Sequence, residues 1–378
     1  MKELLALCYI VKNEAYLLDK SIGAIYHAVD EINILDNGSC DEVNEVAKKY
    51  GAKVLCDGNA NFDKAKNYYF KMANTEWILA LDADEEMQVS DVEKLKSFIV
   101  QLPPNIMGVY LPRFDYIGEG KWSEIKILRV LRNVDGIEFE NRAIHSTPSK
   151  SFKKVNGEVT EYYAPIHHMD VFYKGRAMSK RMRNIEKLIE ALLTESGNYQ
   201  LMNYLALEYA ALQKYDKAEE MFRMAMKFSR PTEKLKRAWI YMAQMYYMMG
   251  EYQKAKKVIM EILDFDLRWN ETKYNILAKI EHKLGNIEMA FELVNLSYQH
   301  NKSSPSTMLN IGHFLLSNND SSYDLWVRKA IELNPYILDE RIYQEGEAPC
   351  IYIQQSAFLD FTHEEYLYML SSRKNKIK

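Results

Sequence analysis

The stretch Trp77-Ile78-Leu79-Ala80-Leu81-Asp82-Ala83-Asp84-Glu85-Glu86-Met87 sets five apolar residues directly before four carboxylates. An uninterrupted apolar run of this length reads as a strand buried on both faces. Burying unpaired charge is costly, so the acids must mark the point where the strand leaves the core. In α/β proteins ligands collect at that edge, outside the carboxyl ends of the strands. Residues i and i+2 of a strand project to the same side, so Asp82 and Asp84 are expected to converge there. Two converging carboxylates hold a hard divalent cation, which in turn holds a diphosphate. An isolated Asp-x-Asp is better explained as a solvated acidic turn, and the rest of the chain must decide.

Working outward, the runs LLALCYIV, EINILD, AKVLC, EWILALD and MGVYLPRF alternate, up to about Asp170, with polar stretches long enough for helices. That alternation predicts an α/β domain with a largely parallel sheet. Ser90 with Glu93 three residues later reads as a capping box opening the helix SDVEKLKSFIVQL. From about Ser179 the strand signal stops and amphipathic segments follow one another. We place the division at 1–178 and 179–378. The helical half repeats itself: Ala206, Ala243 and Ala278 occupy one small position, 37 and 35 residues apart, and Ala218, Ala255 and Ala290 a second. A fourth copy ends in KAIELNP, with Ala330 and Pro335 in the late positions. The period lies close to the ~34 residues of a tetratricopeptide repeat. Tyr209, Tyr215, Tyr246 and Tyr252 are expected to fill the space between helix pairs.

Composition narrows the class. With 378 residues, 48% hydrophobic, 27% charged and a net charge of −4, the chain suits a two- or three-domain protein and argues against a nucleic-acid partner, despite the basic strip KGRAMSKRMRN. Cys8, Cys40, Cys56 and Cys350 show no paired spacing, which suits a reducing compartment and excludes a sulfur metal site. The apolar run Leu4 to Val11 is short and lacks a cleavage motif, and no run reaches the ~20 residues that cross a bilayer. A cytoplasmic location without a transmembrane segment is the expectation.

Three further polar clusters stand where strands end or helices begin: IVKNE (10–14), ILDNGSCD (34–41) and NFDKAKN (61–67). With the Asp-x-Asp they would gather along one sheet edge, as a nucleotide site requires. In this order the pieces VKNEAYL, VDEINILDNGSCDE, YGAKV, NFDKAKNYYFKMANTEWILALDADE, ILRVLRN, AIH, IHH and KRMRNIEKLIEALL resemble glycosyltransferase family 2. Within it, the subgroup with a tetratricopeptide-like tail, including bacteriocin S-glycosyltransferases of the sublancin type, is the most similar. The resemblance spans most of residues 1–193. It implies a GT-A (Rossmann-like) α/β domain followed by an all-α tetratricopeptide-like repeat domain. It further implies a UDP-sugar site made by Val11, Glu14, Asp36, Lys66, Asn67, Asp82 and Ala83. In that site Asp36 accepts from uracil, Asp82 meets the ribose or a metal-bound water, and Asp84 ligates Mn²⁺ or Mg²⁺. Lys66 stands where the family carries arginine and can act only as a point charge.

Two departures from the family pattern involve histidines. His145 is followed by Ser146 instead of glutamate, and His168-Met169-Asp170-Val171 lacks the glycine turn. The resemblance makes His168 a second metal ligand, Asp84 a catalytic residue as well as a ligand, and His145 a catalytic residue on the acceptor side. The implied reaction is a single inverting displacement in which a protein base takes the acceptor's proton; Glu85, Asp115, Glu138 and Glu140 are the candidates. A thiol, with a reference pKa of ~8.5, needs less help than a hydroxyl. The acceptor implied is a peptide or protein, through a Cys or Ser/Thr side chain, presented by the repeats, which also leave room for a homodimer through the helical domain. Transfer to an envelope glycan or small molecule, and a non-catalytic interaction protein with a degenerate transferase domain, are the alternatives.

Overall fold

The computed structural model describes residues 3–58, 62–140, 146–228, 236–262, 270–348 and 363–364, with 62–64 and 236 described through their backbone only. The chain forms two compact units, one of residues 1–114 and 125–169, the other of 115–124 and 170–378.

The first unit is α/β. Its elements run β1 (Leu5–Val11), α1 (Ala15–Ile25), β2 (Glu31–Asp36), α2 (Val43–Lys49), β3 (Lys53–Cys56), α3 (Phe62–Met72), β4 (Trp77–Leu81), β5 (Glu85–Glu86), α4 (Val89–Ile99), β6 (Ile106–Gly118), β7 (Lys121–Arg132), α5 (Ser149–Lys154), β8 (Glu158–Glu161) and β9 (Ile166–His168). Strand order is β3-β2-β1-β4-β7-β6-β9-β5, with β8 beside β6. β1 pairs in parallel with β2 and β4, and β2 with β3. All of β1 except Ile10, and the whole of β2 and β4, are buried, as apolar strands covered on both faces must be.

The sheet departs from a largely parallel one beyond β4, where β7 runs antiparallel to it. β7 is joined to β6 by a two-residue link: Glu119 and Gly120 take φ of 53° and 71°, a hairpin turn that returns the chain directly beside itself. The Ser90 capping box does not form. Helix α4 starts at Val89 with Gln88 in the cap position, because the chain leaves β5 and turns straight into the helix, and this places Ser90 inside the first turn.

The second unit holds α6 (Arg176–Thr194), α7 (Tyr199–Ala211), α8 (Tyr215–Phe228), α9 (Lys236–Met248), α10 (Tyr252–Met260), α11 (Asn270–Lys283), α12 (Ile287–His300), α13 (Pro305–Ser317) and α14 (Tyr323–Leu333). The expected repeats are the helix pairs α7/α8, α9/α10, α11/α12 and α13/α14. Ala206, Ala243 and Ala278, and Ala218, Ala255, Ala290 and Ala330, are all fully buried, since only small side chains let paired helices approach this closely. Tyr246 is buried in the same core, and Tyr209, Tyr215 and Tyr252 pack on it. Residues 115–124, the tip of the β6–β7 hairpin, belong to this unit. Glu119 N–H donates to the Gln344 carbonyl at 3.0 Å and Gly120 N–H to that of Ile342 at 2.9 Å. The arrangement is therefore an α/β domain followed by a helical repeat. Among the described residues no helix is long and apolar enough to cross a membrane.

Candidate active site

The carboxyl ends of the parallel strands align in register: Val11 of β1 faces Asp36 of β2, which faces Cys56 of β3. The chain ties these ends together. Asn37 N–H donates to the Val11 carbonyl at 2.8 Å and Asp57 N–H to that of Asp36 at 3.0 Å. Asn13, at φ 57°, donates its N–H to Ser39 Oγ at 2.9 Å and accepts the Cys40 N–H at 2.8 Å. The loops that follow β1 and β2 are thereby zipped into one rim. Asp36 is buried, and its Oδ1 accepts the Ser39 N–H at 2.8 Å. Glu14 stands at the cap of α1, where its carbonyl accepts from Leu18.

Lys66 and Asn67 lie on α3. The Lys66 ammonium sits 5.2 Å from the Phe139 ring centroid, and its charge reaches Asp82. Asn67 Oδ1 accepts the Phe139 N–H at 2.7 Å, so this amide tethers the backbone at 139.

The Asp-x-Asp differs from the strand geometry that periodicity implies. β4 ends at Leu81, and residues 82–85 form a turn closed by Glu85 N–H to the Asp82 carbonyl at 3.0 Å. On that turn the two aspartates have separate surroundings. Asp82 is 44% exposed at its side chain and pairs with Arg129. Burial is the largest influence and pushes its carboxyl up, with Asp84 adding to it, but the Arg129 charge, the Lys66 charge and the Arg129 hydrogen bond together outweigh them, and the net result is a pKa of about 2 against an ordinary 3.8. Asp84 is buried, with Oδ2 3.5 Å from His168 Nε2. Strand pairing makes that contact: β5 and β9 run antiparallel with Glu85 opposite His168, and Met169 N–H donates to the Asp84 carbonyl at 3.1 Å. Ala83 is buried between the two acids.

Three residues hold the turn: Glu85, which the sequence reading offered only as a candidate base, and Arg113 and Arg129, to which it gave no role. Glu85, fully buried, accepts the Asp82 N–H at 3.0 Å, Arg113 Nη1 at 2.9 Å and Arg129 Nη2 at 2.5 Å. Its carbonyl accepts Ser21 Oγ at 2.5 Å, and Ser21 in turn meets the Tyr9 hydroxyl at 2.7 Å. Glu85 is thus committed to structure and closed to solvent, which removes it from the list of candidate bases. Glu140 accepts the Lys150 N–H at 3.0 Å, whereas Glu138 is largely exposed and pairs with Lys154. His145 lies outside the described residues. Arg129 sits in the quoted piece ILRVLRN. The signal was available in that piece, but its partners lie 44 and 47 residues away and only strand order brings them together.

An oxygen and an imidazole nitrogen, buried and 3.5 Å apart at the end of a sheet, form a donor set that suits a divalent cation such as Mn²⁺. Asp84 and His168 therefore fit a metal.

The sequence pattern of the family described as Glycosyl transferase family 2 matches residues 7–167. The match spans nearly all of the first unit, and a helical repeat follows it. A TPR repeat-containing protein of Synechococcus elongatus is 29% identical over 237 residues, 60% of this chain and 57% of that protein. An uncharacterized glycosyltransferase of Rickettsia typhi is 33% identical over 78 residues, 21% of this chain and 27% of that one. The chain thus spans less than two thirds of the length of either relative. Among solved structures, a glucosyl-3-phosphoglycerate synthase from Mycobacterium tuberculosis in complex with Mn²⁺, uridine diphosphate and glucosyl-3-phosphoglycerate is 13% identical, covering 44% of this chain and 72% of that one at a TM-score of 0.35.

Proposed function

We propose that this protein is a metal-dependent, inverting glycosyltransferase of the cytoplasm that moves a sugar from a UDP-sugar to a peptide or protein. The observation that carries this reading is the turn Asp82–Glu85 at the end of β4, which sets Asp84 against His168 at one edge of the unit that the family 2 pattern matches. Mn²⁺ or Mg²⁺ would be held by Asp84 and His168; when bound, the cation supplies positive charge opposite a diphosphate leaving group. The chain's own groups do the remaining work. Asp36, held by Ser39 at the level of Val11, accepts from uracil. Asp82, kept ionised by Arg129, accepts from the ribose. Lys66, beside Asn67, offsets phosphate charge, and Glu14 closes the rim. His145 is assigned to the acceptor side. A repeat of paired helices suits the presentation of an extended peptide, joined at a Cys or Ser/Thr side chain, and supports a homodimer through the helical domain.

The test is to incubate the full-length protein with a panel of UDP-sugars and Mn²⁺ and follow donor hydrolysis by mass spectrometry. Slow hydrolysis of one donor is expected. Binding without turnover of any donor would leave an interaction protein as the better reading.

A further inference from the structure

Arg129 on β7 connects the two ends of the Asp82–Glu85 turn. Its Nη2 donates both to Asp82 Oδ2 and, at 2.5 Å, to Glu85 Oε1. The guanidinium is buried, whereas Asp82 is 44% exposed, so the ion pair has an inner cation and an anion that opens outward. Arg113, on neighbouring β6, places a second charge on the same Glu85 oxygen, and Glu85 Oε2 takes the Asp82 N–H. The Asp82 side chain is thus gripped from inside through one carboxylate oxygen while its main chain is held by the residue three positions on. A carboxylate fixed in this way presents its outer lone pairs in one direction, and such outer-shell partners govern how well a site receives a ligand.

We infer that Arg129 is a positioning residue for the donor: acting through Asp82, it fixes the carboxylate that accepts the donor's ribose, and it takes no part in holding the cation at Asp84 and His168. The inference rests on the glycosyltransferase reading above. It divides the Asp-x-Asp between two supports, a guanidinium for the first acid and an imidazole for the second. A purely structural Arg129 would serve only to offset the buried charge of Glu85, and Asp82 would then be a passive neighbour.

The test measures UDP binding to the full-length protein in excess Mn²⁺ by calorimetry, with Mn²⁺ binding alone followed by electron paramagnetic resonance. Arg129→Met is expected to weaken UDP binding roughly 10- to 100-fold while Mn²⁺ binding without nucleotide is unchanged. Arg129→Lys, which restores a cation, is expected to recover part of the loss. In an Asp82→Asn background the Arg129 substitutions should have no further effect, since the residue through which they act is already altered. Equal UDP affinity in parent and Arg129→Met overturns the inference, as does an undiminished loss in the Asp82→Asn background. If Arg129→Met does not fold, Arg129→Lys is carried through the same cycle with the same criteria. A parent protein that binds no UDP in Mn²⁺ overturns the glycosyltransferase reading itself, and is distinguished by being seen before any variant is made.

Discussion

Replacing Glu85 by alanine tests the claim that the acidic turn is held from within. The carboxylate is fully buried and receives three donors: the Asp82 N–H, Arg113 Nη1 and Arg129 Nη2. Glu85→Ala leaves two guanidinium groups facing a cavity with their shared counter-charge gone. Removing one partner from a buried ionic group costs about 3–5 kcal/mol, most of it the cost of the charge left behind. For a unit of this size each kcal/mol moves Tm by about 2–4 °C, so the first unit should melt roughly 6–20 °C lower. Differential scanning calorimetry measures this, with the melting of the helical unit as the internal reference. Glu85→Gln, which keeps the shape and one oxygen but loses the charge, should fall between parent and alanine. A shift below about 2 °C for Glu85→Ala would show that the arginines are satisfied without Glu85, and the account of the turn would fail.

Asp84→Ala is expected to abolish donor hydrolysis while circular dichroism and Tm show a folded protein, because its carbonyl, not its side chain, accepts the Met169 N–H; unchanged turnover would remove Asp84 from the metal site. UDP should bind more weakly in EDTA than in Mn²⁺, since without a cation the carboxylates and the diphosphate repel one another, and equal affinities by calorimetry would point to a metal-free site. In the helical unit, burial, with the Lys283 charge assisting, holds His282 below its ordinary 6.5. A base depressed on folding gives stability that is complete above the unfolded value and is lost as pH falls through the folded one. The second unit's Tm should therefore drop as pH falls below the ordinary 6.5, and His282→Gln should flatten part of that slope; an identical slope in the variant would refute the assignment.

The features legible in the sequence are those whose cause is local. β4 is a run of apolar residues with no polar break, and the helix pairs follow from small residues at a fixed period; both depend on neighbours a few positions away. The place of Asp36 was legible for the same reason, because a strand end announces itself where apolar residues stop. What was not legible has its cause far along the chain. The sequence reading treated the Asp-x-Asp as a strand end with both acids on one side, whereas the structure makes it a turn whose acids have different partners. Arg129 reaches Asp82 because β7 folds back beside β4, and His168 reaches Asp84 because β9 pairs with β5 with Glu85 opposite His168. A shift of that pairing by a single residue would bring His167 opposite Glu85 and turn His168 to the other face, with composition, motif and spacing all unchanged. The site is therefore specified less by Asp82 and Asp84 than by the registers of β7 and β9, and substitutions that disturb β5–β9 pairing should remove the Asp84–His168 contact while leaving both side chains in place.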